Sequence, residues 1–264
     1  MSSRFDSTAW HNAMAELLGC ADASGCCHAL VAALDLAVSN DGTCLIAFRP
    51  DAPPAVVHHS MPPAVARHYL DRYLAGPYLL DPLYQLAIGN RRATACRFRD
   101  ATPDRFRSSH YYRRYYERTH LRDEMDFLLR VTDGTALVLV VGRRQKMFTR
   151  AELRRLQLIE KLLFAALRNI WQLWDRGTHR QNRDANLHRR LMHCFENFGG
   201  AALTDRERQI TQLLLRGHSA KSVARELRIA PGTVMVHKRN LFAKLGITTQ
   251  YELFSRLIKD LENS

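Results

Sequence analysis

The sequence has no run of eighteen apolar residues, so no segment is expected to cross a membrane as a helix. Its opening residues, MSSRFDSTAWHNAM, lack the apolar stretch of an export signal, so a cytoplasmic chain is expected. None of the six cysteines forms a Cys-x-x-Cys pair, and a chain of 264 residues needs no disulfide framework. The adjacent Cys26 and Cys27 are read as reduced, small apolar side chains. No H-E-x-x-H, G-x-S-x-G or P-loop occurs, and His58-His59 is the one close histidine pair before residue 175. No metal, cofactor or enzymatic activity is therefore expected. Acidic residues are the minority: 26 Asp+Glu stand against 39 Lys+Arg, a formal net charge of +13. Such a balance favours a polyanionic partner without proving one.

What is present suits a folded chain of two domains. Hydrophobic residues make up 46% of the sequence, enough for an ordinary core. Helices are expected over 10–20 and 24–38, where Leu30, Val31, Leu34 and Val38 fall at helical spacing. After the Asn40–Gly42 turn, TCLIAFR (43–49) reads as a strand with AVVHH (55–59) as its hairpin partner. Helices follow over 62–75 and 79–89, a third strand within RRATACRFRD, and an aromatic-rich helix over 108–119. EMDFLLRV (124–131) and TALVLVVGR (135–143) flank Asp133-Gly134, a hairpin signal. The expected fold is an α+β sensor domain of GAF/PAS-like type, an antiparallel sheet flanked by helices.

Thr149 and Glu152 form a capping box at the start of a long helix. Leu156, Ile159, Leu163, Ala166, Ile170 and Leu173 then repeat at alternating three- and four-residue spacing. This stripe suits either a packing helix or a dimer helix. Residues 176–200 are polar and end in Gly199-Gly200, so they read as a linker with a short helix at 186–196.

Residues 201–264 carry 11 Lys+Arg against 6 Asp+Glu. Thr204 and Glu207 make a second capping box, and Gly217 closes that helix. Ser219 caps the next, AKSVAREL, and Pro231 opens a third at its first position, running to about Leu245. A fourth spans about 249–261. Helix, short turn and longer basic helix make a helix-turn-helix, whose second helix enters the major groove of DNA. On that helix Val234, Leu241 and Leu245 form the buried stripe, so Met235, Val236, Arg239 and Ala243 face outward. Arg239 suits guanine O6/N7; Met235 and Val236 offer apolar contacts, for instance to a thymine methyl. His237, Lys238, Lys244 and Lys221 suit phosphates.

LTDRERQITQLLLRGHSAKSVARELRIAPGTVMVHKRNLFAKLGI resembles the DNA-binding domain of LuxR-type transcriptional regulators. Matching positions include Leu203-Thr204, Arg206-Glu207, Gly217, Ser219, Lys221, Ala224, Leu227, Ile229, Thr233-Val234, His237, Asn240 and Lys244-Leu245-Gly246. Ser222-Val223 stands where the family usually has Glu-Ile, Ala230 replaces the usual Ser cap, and Met235 a commonly basic or polar residue. The resemblance implies a four-helix all-α domain over 201–264 that binds double-stranded DNA, with Thr233 among the contacting residues. It implies a homodimer paired through the fourth helix, and a near-palindromic operator.

The first domain, about 1–175, is then expected to sense a ligand and to dimerise. A phospho-receiver does not fit: the first strand arrives near residue 43, after two helices, and carries no acidic pair. RHYLDRYLAGPYLLDPLYQLAIGN is similar to the ligand-binding half of acyl-homoserine-lactone regulators, where aromatics precede an Asp-Pro. Tyr69, Tyr73 and Tyr78 precede Asp81-Pro82 here. That family's tryptophans are absent from this stretch, which looks closer to the solo regulators that sense other small molecules. The same residues also suit a helix cap at Asp81 with tyrosines in the core. Alternation puts Glu124 and Asp126 on one strand face. If these carboxylates join Asp81, the ligand is a cation such as an amine; otherwise they pair at the surface with nearby arginines.

Overall fold

Short caps start the first helices where the chain leaves extended backbone. Ser7 accepts from the Trp10 amide to open α1 (Thr8–Gly19), and Asp22 accepts from Gly25 to open α2 (Ala23–Ala37). In the computed structural model, residues 4–89, 93–132, 134–177 and 185–262 are described. Asp133 of the expected hairpin turn, and 178–184 of the expected linker, lie outside them. After α2 come β1 (Gly42–Phe48), β2 (Ala55–His59), α3 (Pro63–Leu74), α4 (Pro82–Ile88), β3 (Ala93–Arg97) and α5 (Phe98–Ala101). Next are α6 (His110–Arg114), β4 (Asp123–Arg130), β5 (Ala136–Arg143), α7 (Arg150–Leu158) and α8 (Glu160–Gly177). The last five helices are α9 (Ala185–Glu196), α10 (Asp205–Leu215), α11 (Ala220–Glu226), α12 (Pro231–Leu245) and α13 (Gln250–Glu262).

The chain packs as two units that do not follow chain order. One comprises Met1–His68, Leu86–Ala101 and His120–Arg183; the other comprises Tyr69–Gln85, Thr102–Thr119 and Asp184–Ser264.

The first unit holds a five-stranded sheet of order β2-β1-β5-β4-β3, antiparallel throughout. Strand alternation sends Met125, Phe127 and Leu129 of β4, with Leu137, Leu139 and Val141 of β5, into one core with Leu30 and Leu34 of α2 and Leu163, Leu167 and Ile170 of α8. The α+β, antiparallel-sheet expectation holds. The long helix expected from Thr149 is instead two, broken at Ile159. Of its stripe, Leu156, Ile159, Leu163, Ala166 and Ile170 are buried in the chain's own core, and Leu173 is partly buried against it. A buried ion pair fastens the start of α7: Arg143 is 1% exposed and donates to Glu152 at 2.8 and 3.0 Å.

The cysteine reading is corrected in one respect. Cys20 and Cys26 are joined by a disulfide that closes the turn between α1 and α2, Cα–Cα 5.3 Å. Six residues of separation let the end of one helix meet the first turn of the next, a proximity that no Cys-x-x-Cys spacing announces. Cys27 is free and buried, its thiol pushed up to about 12 by burial and then by Asp22.

The second unit is helical. The helix expected over 108–119 is shorter: α6 has five residues and gives way at Tyr115 to a 3₁₀ turn, Tyr116–Thr119. Its rings stack in pairs four residues apart, Tyr111 on Tyr115 and Tyr112 on Tyr116.

Candidate nucleic-acid interface and buried carboxylate site

Thr204 opens α10 with a complete capping box: its hydroxyl accepts from the Glu207 amide, and Glu207 accepts from the Thr204 amide at 2.9 Å. Gly217 ends the helix at φ 96°. Ser219 caps α11, accepting from the Ser222 amide. α12 starts with Pro231 in its first turn and no side-chain cap from Ala230, and stops at Gly246 in the left-handed region. Val223 and Ala224 of α11, Val234, Leu241 and Leu245 of α12, and Leu253 and Leu257 of α13 are each buried.

That burial turns one face of α12 outward. Thr233, Met235, Val236, Arg239 and Ala243 are exposed, and so is Lys221 on α11. Met235 is 56% exposed and Val236 48%. His237 and Lys238 are half-buried. Lys238 lies over the Phe242 ring at 5.2 Å, and burial, then the Arg105 guanidinium, hold its ammonium below its ordinary pKa. Lys244 is exposed and donates to Glu207 at 2.7 Å, which ties α12 to the α10 capping box. Burial acts to raise the Glu207 pKa, but Lys244 and Thr204 hold it below the usual range.

Asp81 is 6% exposed and gathers the second set of predicted residues. Its Oδ2 accepts from the hydroxyls of Tyr73 at 2.8 Å and Tyr111 at 2.9 Å. Its Oδ1 accepts from the Leu83 amide at 2.8 Å, at the start of α4. Asp81 caps α4 and is the hub of a cluster of buried tyrosines, the arrangement of the cap-and-core reading. Burial raises its pKa, and the three hydrogen bonds only partly oppose this. Tyr69 stacks on Tyr73. Tyr78 meets the Tyr73 ring edge-on, centroids 6.2 Å apart, and its hydroxyl lies 2.7 Å from His188 Nδ1 of α9. Tyr111 was not among the residues predicted for this site; only the aromatic density of SSHYYRRYYERT hinted at it.

Glu124 and Asp126 lie on β4 in the first unit, on the strand face opposite Met125 and Phe127, as alternation requires. They are 4% and 0% exposed, so the expectation of surface pairing with arginines is overturned. The neighbouring Asp123 is buried as well, bound to Arg97 through two hydrogen bonds and to the Phe148 amide at 2.7 Å.

A helix-turn-helix with a basic, outward-facing second helix defines a DNA-binding regulator. The model of the luxR family of bacterial regulatory proteins matches residues 201–257. An HTH-type transcriptional regulator from the exeN 3′ region of Aeromonas salmonicida is 34% identical over 157 residues, 57% of this chain and 80% of the relative. The monoamine regulon transcriptional regulator of Klebsiella aerogenes is 28% identical over 189 residues, 70% of each. The VqsR LBD domain from Pseudomonas aeruginosa shares the fold at TM-score 0.55 and 22% identity, covering 63% of this chain and 99% of that one. The chain belongs to the LuxR family of transcriptional regulators. It is a DNA-binding regulator.

Proposed function

We propose that this regulator is controlled by a small cationic ligand, an amine, recognised at Asp81. The observation that carries the reading is the state of that carboxylate. It is buried, and its three donors are two hydroxyls and one amide, all neutral. Burial disfavours the ionised form of this carboxylate and its neutral donors only partly restore it; an ammonium group would stabilise that form. The aromatic neighbours Tyr69, Tyr73 and Tyr111 suit the apolar body of such a ligand and its cation. The relative named for a monoamine regulon supports the same chemistry. Glu124 and Asp126 are further buried carboxylates whose part in ligand binding is tested separately by substitution.

On the DNA side, Met235, Val236 and Arg239 are proposed to meet base edges, with Thr233, His237, Lys238 and Lys221 on the backbone. Two copies paired through α13 would read a near-palindromic operator with half-sites about 10 bp apart. A thermal-shift panel of aromatic amines, aliphatic amines, carboxylic acids and acyl-homoserine lactones tests the ligand on the full chain. A rise confined to amines, lost in Asp81→Asn, is the expected result. A rise with lactones or acids alone overturns the amine. No rise with any class moves the reading to a ligand-independent regulator whose first domain only dimerises or docks a protein.

A further inference from the structure

Helix α9 lies outside residues 201–257, the stretch that the luxR-family model matches, yet it belongs to the same compact unit as the helix-turn-helix. His188, Leu191 and Phe195, continued by Phe198 beyond the helix end, are buried at three- and four-residue spacing. That stripe packs α9 on α10 and α13. Gln212 of α10 donates to the Glu196 carbonyl at 3.4 Å, and the Arg216 guanidinium lies over the Phe195 ring at 5.2 Å. Burying the stripe turns Arg189, Arg190 and His193 outward, and all three are exposed.

These side chains line a groove of about 1280 Å³. Lys244, at the end of α12, and Arg256 and Asp260 of α13 line it too. Arg256 is held there by donating to the Leu245 carbonyl at 2.6 Å, one of the carbonyls that the end of α12 leaves without a helical partner. Four Lys and Arg thus share the groove with one carboxylate, Asp260. Among the described residues, neither Arg190 nor His193 is in an ion pair. Like charges gathered along a concave surface repel one another, and an anion relieves that repulsion.

We propose that this groove extends the DNA interface beyond the helix-turn-helix, with Arg189 and Arg190 of α9 taking backbone phosphates next to the stretch that α12 meets. The occupant follows from position and lining. Lys244 adjoins Ala243 on the exposed face of α12, so the groove begins where that face ends. A duplex seated on α12 carries its phosphates on towards α9. Duplex DNA presents one negative charge per about 1.7 Å of axis, a row rather than a point, which suits cations spread along a groove. Phe198, the phenyl ring among the described lining residues, is buried. The walls therefore offer charge, and no phenyl face for the base of a small nucleotide. The inference rests on DNA binding alone. It is independent of the ligand at Asp81 and of which α12 side chains meet bases.

Phosphate contacts are blind to sequence, so the test needs no operator. The full-length chain is titrated with a mixed-sequence DNA duplex over a range of salt, beside Arg189→Ala/Arg190→Ala and Arg189→Lys/Arg190→Lys. At about 0.9 per phosphate, the alanine pair is expected to lower the salt slope by about two. The lysine pair keeps both charges and is expected to keep the parent slope. Arg150→Ala/Arg154→Ala, on exposed positions of α7 in the other unit, removes the same charge and is expected to leave the slope unchanged. A parent-like slope in the alanine pair, or an equal loss in the α7 pair, overturns the proposal. Phenylglyoxal labelling of the parent gives a readout that does not depend on how variants fold. Arg189 and Arg190 are expected to lose reactivity at saturating duplex; equal labelling with and without DNA overturns the contact. Inorganic tripolyphosphate separates the remaining source of phosphate. If it raises the melt of the parent but not of the alanine pair, while the DNA slopes stay equal, the groove holds a small polyanion and the DNA reading of α9 falls.

Discussion

Tyr111 donates its hydroxyl to Asp81 across thirty residues of sequence, at 2.9 Å, and shares the same carboxylate oxygen with Tyr73. Burial disfavours the ionised form of Asp81 and the donors restore part of it. Removing one donor leaves a buried acceptor less satisfied. Tyr111→Phe and Tyr73→Phe should each cost about 1–3 kcal/mol in urea unfolding. Because they serve one oxygen, the double variant should cost less than the sum. Strict additivity would mean that the two hydroxyls do not act on a common charge.

The outward face of α12 makes a second expectation. Arg239→Ala should cost about 1–3 kcal/mol and relax specificity at one base position. Lys221→Ala should weaken all sequences alike and reduce the salt slope by about one. A selected-duplex library read for both variants separates the two behaviours. Identical profiles would show that Arg239 only meets phosphate.

Gly217 and Gly246 offer a matched pair. Both have left-handed backbone, φ 96° and 64°. An added Cβ at Gly246 meets nothing within 4 Å, whereas at Gly217 it meets the backbone of Phe106. Gly246→Ala should cost about 1–2 kcal/mol, the left-handed penalty alone. Gly217→Ala should cost more, and the difference reports the packing of the 102–119 segment. Equal melts would mean that this contact contributes nothing.

Periodicity made the two faces of α12 legible: Val234, Leu241 and Leu245 are buried and Met235, Val236 and Arg239 exposed, as their spacing requires. Capping chemistry is equally local, so Thr149-Glu152 and Thr204-Glu207 were readable as capping boxes. The misses are non-local. No proline or glycine marks the break at Ile159, so α7 and α8 read as one helix. A wide apolar stripe looks the same whether it faces a partner or its own sheet, and here it faces the sheet. Tyr111 reaches Asp81 only because tertiary packing carries α6 there, which no spacing rule encodes. Nor does spacing show that Lys244 donates to Glu207, 37 residues earlier.

The Arg143–Glu152 pair sets an expectation for acid. Hydrogen bonds from Arg143, against the opposing effect of burial and with help from Thr149, bring the Glu152 pKa from 4.5 down to about 2. A carboxylate depressed in the folded state stabilises the fold fully above its unfolded pKa, and that stability is lost as pH falls through the folded value. The window is therefore about pH 4.5 to 2. At about 1.4 kcal/mol per pKa unit, the stability at stake is on the order of 3 kcal/mol. Glu152→Gln removes the titration and leaves buried Arg143 without its counter-charge. It should be less stable than the parent at neutral pH, by an amount that shrinks as pH falls through the window. Asp104 and Glu207 are also depressed and steepen the acid limb of both proteins, so the difference between the two curves isolates Glu152. A difference that stays constant from pH 5 to pH 2 would show that Glu152 acts as a neutral cap on α7 and that its charge contributes nothing.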